Sequence, residues 1–151
     1  MNTTAQPAAK KLQRAWAMYD WGNSAYNLVI TSTIFPAYYI AITTDATKVP
    51  ADKVSFFGME ITNTVLSDYT LSIAYLIIAF LSPILSSMAD YSGNKKKYMR
   101  FFTYMGAIAC CGLFLFTKEH IELGIILFGL AAVGYCGSLV FYNAYLPEIA
   151  P

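Results

Sequence analysis

Charge is what this sequence has least of. Only 13% of its 151 residues are Asp, Glu, Lys or Arg, about half of the roughly 25% found in soluble domains. It holds a single histidine and three cysteines. Cys110, Cys111 and Cys136 lack metal-ligand spacing, and two adjacent cysteines are poorly placed for a bridge. They read as small apolar packing residues, which excludes a disulfide scaffold. The lone His120 falls in a polar stretch and reads as solvated. The net charge of +1 gives no basis for nucleic-acid binding. No catalytic, ATP-binding or metal-ligand constellation is visible, so neither an enzyme nor a cofactor is expected.

What is present is long and apolar. Uncharged runs cover 24 residues from Trp21 to Thr44, 21 from Tyr69 to Ala89, 17 from Phe101 to Thr117 and 25 from Leu123 to Pro147. A membrane-spanning helix needs about 20 apolar residues, with a range of about 17–25. The windows far exceed a barrel strand, and in lipid only helices or closed barrels satisfy the backbone. The expected fold is therefore an all-α membrane protein of four transmembrane helices. The basic N-terminal stretch precedes a window too long for a signal-peptide core, so that window should remain as the first span.

The few charges are sorted by side. Lys10, Lys11 and Arg14 precede the first window, and Lys95, Lys96, Lys97 and Arg100 lie between the second and third, seven of the ten basic residues in all. Basic residues in short loops stay cytoplasmic, so both termini should be inside. The expected order is a cytoplasmic tail (1–15), span one (16–42), an external loop (43–67) with room for a short surface helix, and span two (68–88). A cytoplasmic turn (89–97), span three (98–117), an external turn (118–122), span four (123–145) and a cytoplasmic end (146–151) follow. Trp16, Tyr19 and Trp21 suit an inner aromatic belt. Pro36 should kink span one, and Pro83 should interrupt span two.

Three polar stripes cross these spans. Asp20, Asn23, Asn27 and Thr31 recur at i, i+3, i+7 and i+11, one face of an α-helix. Ser72, Tyr75, Ser82 and Ser86 mark span two. Tyr135, Ser138, Tyr142 and Tyr145 mark span four, with Asn143 adjacent. Polar groups at membrane depth face a bundle interior or a water-filled cavity, so each stripe reads either as interhelical hydrogen bonding or as a solute path. Asp20 is either a first-turn acid favoured by the helix dipole or a cavity carboxylate for a proton or a cationic substrate. Small residues also share faces, Ala131, Gly134 and Ser138 on span four and Ala107 and Cys111 on span three, which predicts close helix packing.

Two segments carry a family resemblance. The turn Ser86-Ser87-Met88-Ala89-Asp90-Tyr91-Ser92-Gly93-Asn94-Lys95-Lys96-Lys97 resembles the motif between helices two and three of major facilitator superfamily transporters. Ala89, Asp90, Gly93 and Lys95 match it, while Ser86, Tyr91 and Asn94 replace a glycine and two arginines. The opening Trp16-Ala17-Met18-Tyr19-Asp20-Trp21-Gly22-Asn23-Ser24-Ala25-Tyr26, then Ile34-Phe35-Pro36-Ala37-Tyr38-Tyr39, is similar to the vacuole effluxer-like branch, also called unknown major facilitator family 1. Phe141-Tyr142-Asn143-Ala144-Tyr145-Leu146-Pro147-Glu148-Ile149 resembles the same branch at the end of helix four.

The resemblance implies helices one to four of a twelve-helix carrier that works by alternating access, so the chain is expected to be a truncated N-terminal portion. It further implies transport of a small polar solute, an amino acid among the candidates, with protons as a coupling partner. Asp20, Asn23, Asn27, Tyr142 and Asn143 would line the pathway, and Asp90, Gly93 and Lys95 would form an inside gate. The expected partners are the lipid bilayer, the solute, and the remaining helices of a longer carrier or a second copy. The expected location is an inner or plasma membrane. The competing reading is a four-helix scaffold or assembly subunit whose polar stripes only bond helices together.

Overall fold

The computed structural model describes residues 5–44 and 52–145. The Leu146-Pro147-Glu148-Ile149 segment lies outside the described residues. Among the described residues, four helices are long and apolar enough to cross a membrane: Lys10–Thr43, Asn63–Tyr91, Lys95–Leu115 and Ile121–Ala144. They are spans one to four. The protein is thus an all-α multi-pass membrane fold, and four crossings return the chain to the side on which it began.

Helix begins earlier than the charge pattern suggests. It runs from Ala5, so the polar stretch from that residue is helical and continuous with span one. Span two is helical over Asn63–Ser92, 30 residues, or about 45 Å at 1.5 Å per residue, against a hydrocarbon core of roughly 30 Å. Asp68 is therefore well inside this helix and does not mark its start. Pro83 also falls within it without ending it, a tolerance known in membrane helices, where neighbouring groups satisfy the carbonyls that proline frees. Gly93 closes span two with φ +63°, a left-handed cap that suits glycine.

The loop between spans one and two, where the sequence left room for a short surface helix, carries a β-hairpin instead. Strands β1 (Lys53–Phe56) and β2 (Met59–Thr62) pair antiparallel, Phe56 opposite Met59. Phe57 and Gly58 make the two-residue turn with φ of +48° and +82°, the signs a type I′ turn requires. Val54, Phe56 and Ile61 give the segment strand character. Phe57 N–H donates to Glu122 Oε1 at 3.1 Å, which ties the hairpin tip to the start of span four. At its base, Asn63 Nδ2 donates to Thr43 Oγ1 at 3.0 Å and Asn63 N–H donates to the Asp52 carbonyl at 2.9 Å. One buried amide thus joins span one, the hairpin and span two.

Span four is the centre of the packing. Ala131 and Ser138 are buried, as is Gly134, so the small-residue face read from the sequence is its packed face. On span three the expected face was displaced: Ala107 and Cys111 are exposed, and Phe102, Gly106 and Ala109 are buried. Gly106 and Gly134 meet backbone to backbone. A Cβ on Gly134 would lie 2.6 Å from the Gly106 N and Cα, so spans three and four approach as closely as peptide planes permit. The Phe102 ring fills the space that the missing side chain of Gly137 leaves. At the outer end, Phe35 and Tyr39 of span one, Phe116 and Phe128 form an aromatic core, with Phe35 and Phe128 stacked at 3.6 Å.

Candidate functional site along span one

Span one is clamped at both ends and wide in its middle. At the inner end Trp16 stacks on Tyr142 of span four at 4.5 Å, and Tyr19 stacks on the same ring at 5.4 Å. The hydroxyls of Tyr19 and Thr103 of span three are hydrogen-bonded at 2.9 Å. At the outer end Tyr38 donates to the Phe116 carbonyl at 3.0 Å. Between these clamps Tyr26–Ile34 is a π-helix with no buried residue. Ser32 and Thr33 donate their hydroxyls to the carbonyls of Asn27 and Leu28, five residues back. Pro36 follows at once and has no N–H to give, so the ladder cannot close normally there. The kink expected at Pro36 therefore takes the form of a widened stretch just before it, a geometry frequent at functional sites.

That widening splits the polar stripe. Asn23 lines a cleft of about 370 Å³ between spans one, three and four, with Tyr19, Tyr26, Thr103, Tyr135 and Ser138. Asn27 lines a separate groove with Ser24, Ser32 and Tyr135. Thr31 faces a third recess toward span two. An α-helical count puts these three residues on one face; the i→i−5 pattern distributes them over three. The Tyr26 and Tyr135 rings lie 4.9 Å apart; both line the first cleft, and Tyr135 also lines the second.

The structure brings Asp20 and Tyr142 together. Tyr142 is 5% exposed, its hydroxyl makes no hydrogen bond of ordinary length among the described residues, and the Asp20 carboxylate is its charged neighbour. Asp20 itself is exposed. Asn143 is also exposed and lines neither cleft that holds Asn23 or Asn27. Asp90 pairs with Lys95 at 3.3 Å across the turn that Gly93 makes, so the acid at the unfavourable C-terminal end of its helix has a local cationic partner. Among the described residues, no group of three His, Cys, Asp or Glu side chains is arranged to hold a metal.

Sequence reasoning passed over Tyr19, Tyr26 and Thr103 as lining residues. Tyr19, Asn23 and Tyr26 recur at i, i+4 and i+7, and that spacing was the available signal. Among the described residues the polar stripe of span two makes no hydrogen bond to another helix; Ser72 and Tyr75 are exposed, and Ser82 and Ser86 are half-buried. Ser138 donates to the carbonyl of Tyr135 in its own helix.

Residues 8–151 match the family described as "Vacuole effluxer Atg22 like". The chain belongs to that family. It is 34% identical to the MFS-type transporter YxiO of Bacillus subtilis (strain 168) over 93% of this chain and 31% of the relative. It is 35% identical to autophagy-related protein 22-2 of Penicillium rubens over 70% of this chain and 18% of that protein. Autophagy-related protein 22 of Coccidioides immitis is 25% identical over 95% of this chain and 29% of its own length. The chain thus spans at most about a third of the curated relatives it matches. No solved structure matches it. These relatives place the protein in the vacuole effluxer-like branch of the major facilitator superfamily.

Proposed function

We propose that the chain forms the first four spans of a carrier that moves a small polar solute across a membrane by alternating access. The observation that carries this reading is the uncovered polar face of span one. Asp20, Ser24 and Asn27 are exposed, while Trp21 and Leu28 beside them are exposed apolar surface. A carboxylate at membrane depth costs at least about 2.5–3.5 kcal/mol when it faces lipid. That face is therefore set against further protein or a water-filled cavity, the arrangement a two-half carrier provides. A share of 31% of the bacterial relative is close to four spans in twelve.

In this reading Asp20, Asn23, Asn27, Tyr142 and Asn143 line the path, with Asp20 meeting a proton or a cationic group of the solute. Asp90, Gly93 and Lys95 form an inner gate, in which the ion pair within the turn exchanges for one with the second half. Both ends are cytoplasmic, because seven of ten basic residues lie on their side, and the protein resides in a cell membrane. A scaffold would need the polar stripes bonded between helices, yet among the described residues the side chains of Ser24 and Asn27 make no hydrogen bond to another helix.

The test is solute flux into liposomes carrying the intact carrier that contains these spans, with a panel of amino acids and neutral polar solutes. Saturable uptake of at least one solute, absent from empty liposomes, is expected. A correctly inserted protein that moves none of them contradicts the proposal.

A further inference from the structure

A further groove lies at the inner end of the bundle, where the starts of spans one and three meet the end of span four. It measures about 240 Å³, and its lining includes Leu12, Ala15 and Tyr19 of span one, Lys96 and Met99 of span three, and Tyr145 of span four. None of Asp20, Ser24 and Asn27, the exposed polar residues of span one, lines it. Among the described residues, Lys96 is the one charged side chain in its lining, and the rest is apolar or aromatic.

Lys96 is exposed and forms no ion pair among the described residues. It lies in the first turn of its helix, with Met99 about 4.5 Å further into the span. On span one, Leu12 stands about 10 Å nearer the inner rim than Tyr19 and is 53% exposed. The groove is thus cationic at its mouth and apolar within, at the level of Trp16 and Tyr19, where aromatic rings mark the headgroup region. Its surroundings carry the same sign. Lys10, Lys11, Arg14, Lys97 and Arg100 are exposed at this end of the bundle. The described acids of this side are Asp20 and Asp90, and Asp90 is already paired with Lys95.

We propose that this groove binds one anionic phospholipid, with the phosphate on Lys96 and part of an acyl chain along Ala15, Met99 and Tyr19. Basic recesses between helices on the cytoplasmic side suit anionic headgroups. Charge complementarity favours that occupant over a further apolar helix, which would cover Lys96 without giving it a partner. Topology alone accounts for basic loops on this side, but not for a lysine at the mouth of an apolar groove. Lipid tails are as apolar as the groove walls, so discrimination between lipids rests on the headgroup. The site needs only a membrane-spanning chain and does not depend on the carrier reading.

The experiment is native mass spectrometry of the intact protein that contains these spans, purified in detergent and given phosphatidylglycerol and phosphatidylcholine of matched chains in equal amounts. Retention of phosphatidylglycerol in preference to phosphatidylcholine is expected. Lys96→Gln should weaken the binding of one phosphatidylglycerol about five-fold, or about 1 kcal/mol, and Lys96→Arg should keep most of it. Lys97→Gln, next in sequence but outside the groove lining, should have much less effect. Ala15→Phe, which fills the groove and removes no charge, should expel the lipid. Equal retention of the two lipids overturns the proposal. An equal loss in Lys96→Gln and Lys97→Gln also overturns it, since diffuse surface charge then suffices, and so does undiminished retention in a folded Ala15→Phe. Displacement of the lipid by glycerol phosphate at matching concentration would assign Lys96 to a soluble phosphate and contradict the lipid site. Should Ala15→Phe fail to fold, the comparison of Lys96→Gln with Lys97→Gln decides the matter.

Discussion

Replacing Gly134 with alanine should destabilise the bundle, whereas the same change at Gly106 should be mild. The two glycines face each other, but the geometry is asymmetric. A Cβ at position 134 would meet the Gly106 N and Cα at 2.6 Å and the Phe102 carbonyl at 2.9 Å. All of these atoms are backbone, so no side chain can rotate away, and spans three and four must separate. A Cβ at position 106 would find its nearest atoms at 3.5 Å, an ordinary contact. Overpacking costs about 1–3 kcal/mol, and alanine's better helix propensity returns up to about 1 kcal/mol. Gly134→Ala should therefore lose up to about 2 kcal/mol after the propensity gain, and Gly134→Leu should fail to give a monodisperse protein. Gly22→Ala, with nothing within 4 Å of the new methyl, keeps only the propensity gain and serves as the control. Thermal unfolding of the detergent-purified variants reads this order. Equal loss at positions 106 and 134 would contradict the close backbone contact.

Asp20→Asn should abolish transport by the intact carrier without impairing insertion. The substitution removes a charge and keeps the shape, and an uncharged side chain enters a membrane more readily than a carboxylate. If Asp20 meets a proton or a cationic group during the cycle, the loss corresponds to a hydrogen-bonded charge pair, at least about 2 kcal/mol. That is roughly 30-fold or more in rate or affinity. Tyr142→Phe should do much less, because its ring keeps the stack with Trp16 and its hydroxyl has no ordinary hydrogen bond to lose. Flux into proteoliposomes, with inserted protein quantified in parallel, separates the two effects. Undiminished flux in Asp20→Asn would remove Asp20 from the mechanism.

Much of the fold was legible because a membrane imposes a strict compositional rule. Stretches without charge locate helices that lipid requires to be apolar, and the windows at Tyr69–Ala89 and Leu123–Pro147 needed no further information. The small-residue face of Ala131, Gly134 and Ser138 was equally direct, since small size is itself the packing property. Span three was less transparent. Gly106 has no side chain to signal which way it faces, and Phe102 is buried only because Gly137 opposite makes room for its ring.

The external hairpin was obscured for a different reason. Its strands are four residues each, and the tie from Phe57 to Glu122 that anchors them crosses 65 positions. The candidate site was readable in residue type but not in arrangement. Asp20, Asn23 and Asn27 were found because polar side chains are rare in such windows. Their assignment to one face assumed a regular α-helix. The widened turn before Pro36 breaks that regularity, and it arises from a proline, two hydroxyls and clamps at both ends of the span.

The most direct measurement of the central claim is the water accessibility of the uncovered face of span one in the intact carrier. Single cysteines at Asn27 and Phe80, in a background with Cys110, Cys111 and Cys136 replaced by serine or alanine, would be challenged with a charged, membrane-impermeant thiol reagent. The account predicts rapid modification at Asn27, slowed by a transported solute, and little at Phe80, which is 72% exposed on the apolar surface of span two. Equal reactivity at both positions, or none at Asn27 from either side of the membrane, would contradict it.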